Sequence, residues 1–151
     1  MPDYREKLWP SPWLFIIIAL VIPASLLVFL PISVLAGVLT GAGLYLGSAL
    51  LLVLASPTVS VTDGVLTAGR ARIETRLLGE AVPLEGADAT LERGQKLDAR
   101  AWLLIRGWIA PVVRIPLEDP TDPAPYWLVS SRRPQKMAAA INGSRRPASS
   151  N

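Results

Sequence analysis

Residues 8–62 carry no Asp, Glu, Lys or Arg, and Leu, Ile, Val and Ala dominate the run. Apolar positions fall on every helical face rather than along one stripe, as lipid exposure or full burial requires. A bilayer core of about 30 Å is crossed by about 20 such residues, so the run holds two crossings. The pattern predicts helices over residues 13–30 and 33–55. Pro31 lies between them and Pro57 follows the second. Proline removes a backbone donor and turns the preceding residue away from helix, so both act as stops. A connection this short makes the pair an antiparallel hairpin. Pro23, inside the first helix, predicts a kink, which membrane helices tolerate when neighbours satisfy the freed carbonyl.

After residue 57 the period shortens to two. Val59 and Val61 alternate with polar residues, Asp63-Gly64 follows, and Val65 to Thr67 resumes. Asp-Gly between two short β-prone runs predicts a two-residue hairpin, because both central positions need positive φ. Residues 69–75 alternate as a further strand. Residues 81–84 predict another, which Pro83 marks as an edge or a bulge. Residues 89–91 are a candidate strand, and Gly94 and Asp98 mark a turn. Residues 101–105 and 112–117 predict two strands turned by Arg106-Gly107, with Arg114 facing outward. Three prolines within residues 120–125 predict a rigid extended loop. Residues 126–129 form the last strand. Ser130 or Ser131 caps a helix over residues 133–141, Pro134 suits its first turn, and Asn142-Gly143 ends it.

The expected fold class is an α+β membrane protein: a two-helix transmembrane hairpin, then a small, mostly β domain with a C-terminal helix. One terminal helix closing an open barrel matches the pleckstrin-homology-like split barrel in outline. The expected divisions are residues 1–12 as a cytosolic N-terminal segment, 13–56 as the hairpin, 57–142 as the cytosolic β-rich domain and 143–151 as a disordered basic tail. The charged leader is mixed, with Asp3, Arg5, Glu6 and Lys7, and no small-residue cleavage site follows the first apolar core, which argues against a cleaved signal peptide. Arg5 and Lys7 flank one end of the hairpin, its loop has no basic residue, and thirteen basic residues follow it. Positive residues stay cytoplasmic, so the expected location is the plasma membrane, multi-pass, with both termini inside.

Composition narrows the chemistry. There is no cysteine and no histidine. Disulfides, thiol catalysis and Cys–metal sites are excluded, and the commonest general base and metal ligand are missing. No phosphate-binding glycine loop, serine elbow or metal-ligand spacing occurs. The expectation is a non-enzyme without cofactor, with no catalytic and no metal-binding residues. The net charge of +3 is uneven: residues 63–129 hold eight basic and ten acidic residues, whereas residues 130–151 hold five basic and none acidic. A basic tail without interleaved aromatics in a tethered chain points to anionic lipid, at about 1 kcal/mol per residue, rather than to nucleic acid.

Several residues are candidates for contact. Trp9 and Trp13, at the entrance to the first helix, suit the headgroup level as interfacial anchors; packing on the β domain is the alternative. Gly37, Gly41, Gly43 and Gly47 pair at a spacing of four, which lets helix backbones approach, within the hairpin or between two chains of a homodimer. Asp119 and Asp122 form the close acidic pair of the proline loop. They could hold a hard cation, though two ligands are too few for calcium, serve as acid and base, or meet a partner or lipid; capping of local turns is the favoured reading. Arg132, Arg133 and Lys136 could meet phosphate or an acidic partner; surface charge or a salt bridge to Asp119 or Asp122 is the plainer use. Trp102, Trp108 and Trp127 are expected in the core.

Three blocks carry a resemblance: residues 4–9 (Tyr-Arg-Glu-Lys-Leu-Trp), Gly69-Arg70-Ala71, and residues 119–134, from Asp119-Pro120-Thr121-Asp122-Pro123 through Tyr126-Trp127-Leu128-Val129-Ser130-Ser131-Arg132-Arg133-Pro134. Together they resemble the actinobacterial membrane proteins with domain of unknown function 3093. The resemblance extends to about Asn142 and implies a small two-span membrane protein, with no activity or catalytic residue attached. The leading functional expectation is a membrane-tethered module that binds another protein. The alternatives are an anionic-lipid sensor using Arg132, Arg133, Lys136, Arg145 and Arg146, and an accessory subunit of a transporter or enzyme. Transport by the hairpin alone is disfavoured, because it holds no ionisable carboxylate or base and few polar side chains, among them Ser25, Thr40, Tyr45 and Ser48.

Overall fold

The computed structural model describes residues 4–145. The chain divides into two compact units: Trp9–Ser56, and Pro57 onward together with the residues preceding Trp9.

The first unit is helical. α1 (Pro12–Ala19) and α2 (Val21–Phe29) form one apolar rod interrupted at Leu20, and α3 (Val34–Leu54) returns. Pro23 explains the interruption: it cannot donate to the carbonyl four residues back, that of Ala19, and its ring crowds that group. The ladder resumes at once with Ala24 N–H to Leu20 O, 3.2 Å. The rod ends before Pro31, and Ser33 caps α3 by accepting from Ala36 N–H at 3.3 Å. Gly37 and Gly41 are buried against α2; a Cβ on Gly37 would lie 3.1 Å from the Leu26 Cα and one on Gly41 3.1 Å from the Ile22 Cα. Gly43 and Gly47 face open space. The four glycines therefore split: one pair closes the hairpin and the other takes no part in it.

Among the described residues, the second unit holds eight strands in two sheets. The first sheet has the order β1 (Tyr4–Lys7), β2 (Thr58–Thr62), β3 (Val65–Ala68), β4 (Ala71–Glu74), all antiparallel. Asp63 and Gly64 turn β2 into β3 with φ of 51° and 74°, as Asp-Gly predicts. The second sheet has the order β5 (Val82–Leu84), β7 (Val112–Pro116), β8 (Tyr126–Ser130), β6 (Trp102–Leu104), with β6 parallel to β8. β5 contains Pro83 and is an edge strand, as a proline requires. α4 (Gly86–Arg93) and α5 (Pro134–Arg145) complete the unit.

Two apolar layers follow from alternation along β7 and β8. Val113, Ile115, Trp127 and Val129 share a core with Val59, Val61, Leu66 and, from α5, Met137 and Ile141. Val112, Tyr126 and Leu128 pack on the opposite side with Ala89 of α4. β8 is thus buried at all five positions. Trp102 and Trp127 meet with centroids 4.4 Å apart, so these indoles are packing groups. Gly79 passes so close to β7 that a Cβ there would lie 2.9 Å from the Pro116 Cβ.

Five expectations are corrected. Residues 1–12 are not a separate segment: Tyr4–Lys7 is the edge strand of the first sheet. The boundary at residue 57 therefore cuts through the β unit. Residues 89–91 lie in α4, not in a strand; their apparent alternation is part of a three-residue period that buries Ala89 and Glu92. Arg114 does not simply face water: it pairs with Glu92 at 3.1 Å and lies 4.5 Å from the Tyr126 ring centre. α5 does not stop at Asn142-Gly143 but runs to Arg145. The Asn142 side chain is committed to tertiary bonds instead, accepting from Ala81 N–H at 2.8 Å and donating to Ala81 O at 3.0 Å. The proposed tail 143–151 thus begins as helix, and residues 146–151, including Arg146, lie outside the described residues.

Overpacking a tight backbone approach costs about 1–3 kcal/mol. Gly41→Leu is expected to lower hairpin stability by that amount in a denaturant titration in micelles followed by helical circular dichroism. Gly47→Leu is expected to change it by less than about 0.5 kcal/mol.

Candidate functional site

Strand alternation points Tyr4 and Glu6 of β1 inward, while Arg5 and Lys7 point outward. Glu6 is a carboxylate in the interior, 6% exposed. An interior carboxylate needs donors, and the chain after β8 supplies them. Ser131 Oγ donates to Glu6 Oε2 at 2.6 Å, and the Arg132 backbone N–H donates to Oε1 at 2.9 Å. The Tyr4 hydroxyl donates to Oε2 at 2.5 Å and lies 3.0 Å from Ser131 Oγ. Ser131 Oγ also accepts from Arg133 N–H at 3.0 Å, which orders the entry to α5 as a capping serine does. Burial first, and then the bond to the Glu6 carboxylate, push the Tyr4 phenol up from 10.0 to about 12. Ser131 is fully buried, so no substrate reaches its hydroxyl. The cluster is a polar lock between the two ends of the β unit.

The lock gathers basic side chains around β1. Arg133 Nη2 donates to Arg5 O at 2.9 Å, and its guanidinium lies 5.2 Å from the Tyr4 ring centre. Arg132, Arg133 and Lys136 are all exposed, as are Arg5 and Lys7. Arg133 contacts Arg5 and Tyr4 rather than forming the salt bridge to Asp119 or Asp122 that was one of its plainer uses. Arg145, a candidate lipid contact, instead donates from Nε to Leu78 O at 2.7 Å.

Asp119 and Asp122 sit elsewhere, at a shallow groove of about 330 Å³ lined also by Arg72, Ile73, Glu74, Leu77 and Trp127. Each aspartate caps a local turn, as favoured from the sequence. Asp119 Oδ1 accepts from Thr121 Oγ1 at 2.6 Å and from Thr121 N–H at 2.9 Å, which holds its carboxyl below the ordinary range; Asp122 Oδ1 accepts from Ala124 N–H at 2.9 Å. Glu74 pairs with Arg76. No group of three or more possible metal ligands occurs among the described residues. Trp9 and Trp13 are 47% and 50% exposed, and the helical glycines lie as described above. Tyr4 and Glu6 are the residues that sequence reasoning missed; Ser131 is foreseen as a helix cap but not as a donor to Glu6. The available signal was the two-residue spacing of Tyr4 and Glu6, which places both on one face of a strand.

Removing the Glu6 carboxylate strands three donors, at about 1–3 kcal/mol for a buried group left unmade. Glu6→Ala is expected to lose about 3 kcal/mol in chemical denaturation, and Arg5→Ala less than about 0.5 kcal/mol. The raised Tyr4 pKa sets an alkaline limit. The folded state keeps a proton that the unfolded state releases above pH 10, so this contribution is whole below pH 10 and lost as pH rises toward 12. Stability measured across that window is expected to fall more steeply in the native sequence than in Tyr4→Phe.

No curated protein and no solved structure matches this chain. The model of one family, described as a protein of unknown function (DUF3093), matches residues 3–141. The match takes in β1, the apolar helices, both sheets and α5 as far as Ile141, so that both halves of the polar lock fall within it. On that coverage the chain belongs to the DUF3093 family of proteins of unknown function.

Proposed function

We propose that the two apolar helices span the plasma membrane as a hairpin and hold the β unit at its cytoplasmic face, where that unit binds another protein. One observation carries the reading. The helices Pro12–Phe29 and Val34–Leu54 have mean hydropathies of 2.5 and 1.9 over their most apolar windows, and almost nothing of either is buried. The core helix of a soluble protein would be mostly covered, and exposed apolar surface on this scale marks a lipid or protein interface. Retention of the first helix is supported by β1. Cleavage after that helix would remove a paired strand and Glu6 with it.

Pairing of β1 with β2 requires both ends of the apolar unit on one side of the bilayer, and the basic residues around them favour the cytoplasm. Two sheets sharing a core with a C-terminal helix support a pleckstrin-homology-like split barrel, to which parallel β6 and α4 are additions. For the partner we favour an extended segment with basic side chains. β4 is an edge strand, and alternate residues on such an edge turn their N–H and C=O groups outward, ready for an added strand. The adjoining groove combines an apolar floor of Ile73, Leu77 and Trp127 with the carboxylates of Asp119 and Asp122.

The test is photocrosslinking in cells from the full chain, with the reactive side chain at Thr121 by the groove or at Thr90 on α4. The expected result is a discrete adduct from Thr121 alone, lost in the double variant Asp119→Asn, Asp122→Asn, which keeps the turn acceptors and removes the charge. Equal labelling from both positions, or an adduct indifferent to the charge, overturns the partner assignment. Protease treatment of spheroplasts tests the topology: epitopes at both termini are expected to survive until the membrane is breached.

A further inference from the structure

We infer that Arg5, Lys7, Arg132, Arg133 and Lys136 form one surface that docks on anionic phospholipid headgroups. The inference rests on the membrane reading above and concerns a different face from the partner groove. Arg5 and Lys7 occupy the outward positions of an edge strand. The polar lock brings Arg132 beside that strand through its N–H bond to Glu6, and Arg133 reaches the Arg5 carbonyl. Lys136 stands three residues beyond Arg133, in the first turn of α5. Residues far apart in sequence are thus joined into a patch of five cations.

Basic residues outnumber acidic ones here: residues 3–7 and 131–136 hold five basic residues against Asp3 and Glu6, and the Glu6 carboxylate is buried beneath three donors rather than presented outward. Glu85, the residue before α4, accepts from Gln135 Nε2 at 3.0 Å. The location along the chain selects the ligand. Lys7 is separated from Trp9, the half-exposed first residue of the apolar unit, by Leu8 alone. A headgroup layer is therefore within reach of the patch by covalent connection. Basic residues so placed are attracted to anionic leaflets, and arginine forks suit phosphate. Arg145, committed to Leu78, is not a member; Arg5 and Lys7, which the sequence alone marked only as topology signals, are.

The chain has three lysines, Lys7, Lys96 and Lys136, and all are exposed. Lys96, beyond α4, serves as an internal reference. The full-length protein is reconstituted into vesicles of phosphatidylcholine, alone or with phosphatidylglycerol, and acetylated with a water-soluble reagent; the rate at each lysine is read by mass spectrometry. Acetylation of Lys7 and Lys136 is expected to slow about fivefold in the anionic vesicles at low salt, the change that about 1 kcal/mol gives. High salt is expected to erase the difference, with Lys96 unaffected throughout. The double variant Arg5→Gln, Arg132→Gln keeps both backbone contacts and is expected to return Lys7 toward its rate in neutral vesicles. Equal rates in both vesicles, slowing of Lys96 to the same degree, or a Lys7 effect indifferent to the double variant overturns the inference. Failure of insertion is read separately, as loss of flotation with neutral vesicles.

Discussion

The β unit depends on a pairing that the chain makes across its own apolar segment. β1 and β2 are antiparallel neighbours, with Lys7 opposite Thr58 and a further bond from Leu8 N–H to Pro57 O at 2.9 Å. The whole unit Trp9–Ser56 lies between them in sequence. It replaces the loop of a β-hairpin. Closing a flexible loop of that length would oppose pairing entropically, though the cost grows only with the logarithm of length. A preformed helical hairpin returns the chain close to where it left, and so removes much of that cost. Gly37 and Gly41, which let α3 lie against the α2 backbone, thereby contribute to an event outside their own unit: the arrival of β2 beside β1.

A four-residue edge strand is a weak element, and the polar lock makes its register definite. Sliding β1 by one residue would put Tyr4 and Glu6 on the outer face and bury Arg5 and Lys7. Only one register offers the Glu6 carboxylate to Ser131 and to the Arg132 N–H. An inward charge also discourages edge-to-edge association, a known protection for exposed strands. The two terminal sequence blocks, Tyr-Arg-Glu and Ser-Ser-Arg-Arg, therefore act as one structural feature. Thr75 adds a second tie, its hydroxyl lying 3.1 Å from Gly64 O and 3.2 Å from Ser144 O, which binds the first hairpin turn to the end of α5.

Features set by local chemistry were legible in advance. The Asp63-Gly64 turn, the edge position of Pro83, the break enforced by Pro23 and the turn-capping roles of Asp119 and Asp122 depend on residues within a few positions. What was hidden depends on distant partners. Nothing local in Tyr-Arg-Glu-Lys distinguishes a charged leader from a strand; the difference lies in β2. Asn142 followed by glycine is a sound helix stop until Ala81 engages its amide. Arg114 alternates with apolar neighbours as an outward residue would, but α4 covers that face and supplies Glu92. The parallel pairing of β6 with β8 follows from placing both strands on one sheet, which no short-range pattern specifies. For the candidate sites, the sequence marked Arg132 and Arg133 without their neighbours Arg5 and Lys7, because the carboxylate that unites them reads as one more leader charge.

The geometry of the first sheet bears on how two surfaces could work together. The basic patch lies along β1, one edge of the sheet, and the groove lies along β4, the other. Three interstrand spacings separate these edges, about 14 Å. A headgroup layer engaging β1 and an extended segment added to β4 would therefore not compete for backbone groups or for side chains. Their charges differ as well: cations line β1, while Asp119 and Asp122 stand at the groove. If both proposals hold, a basic partner segment drawn to an anionic membrane would find at β4 a local site of the same sign as the leaflet, while β1 would hold the sheet against that leaflet. On the proposed reading, edge separation and opposite charge would let one small sheet engage a lipid surface and a protein at once.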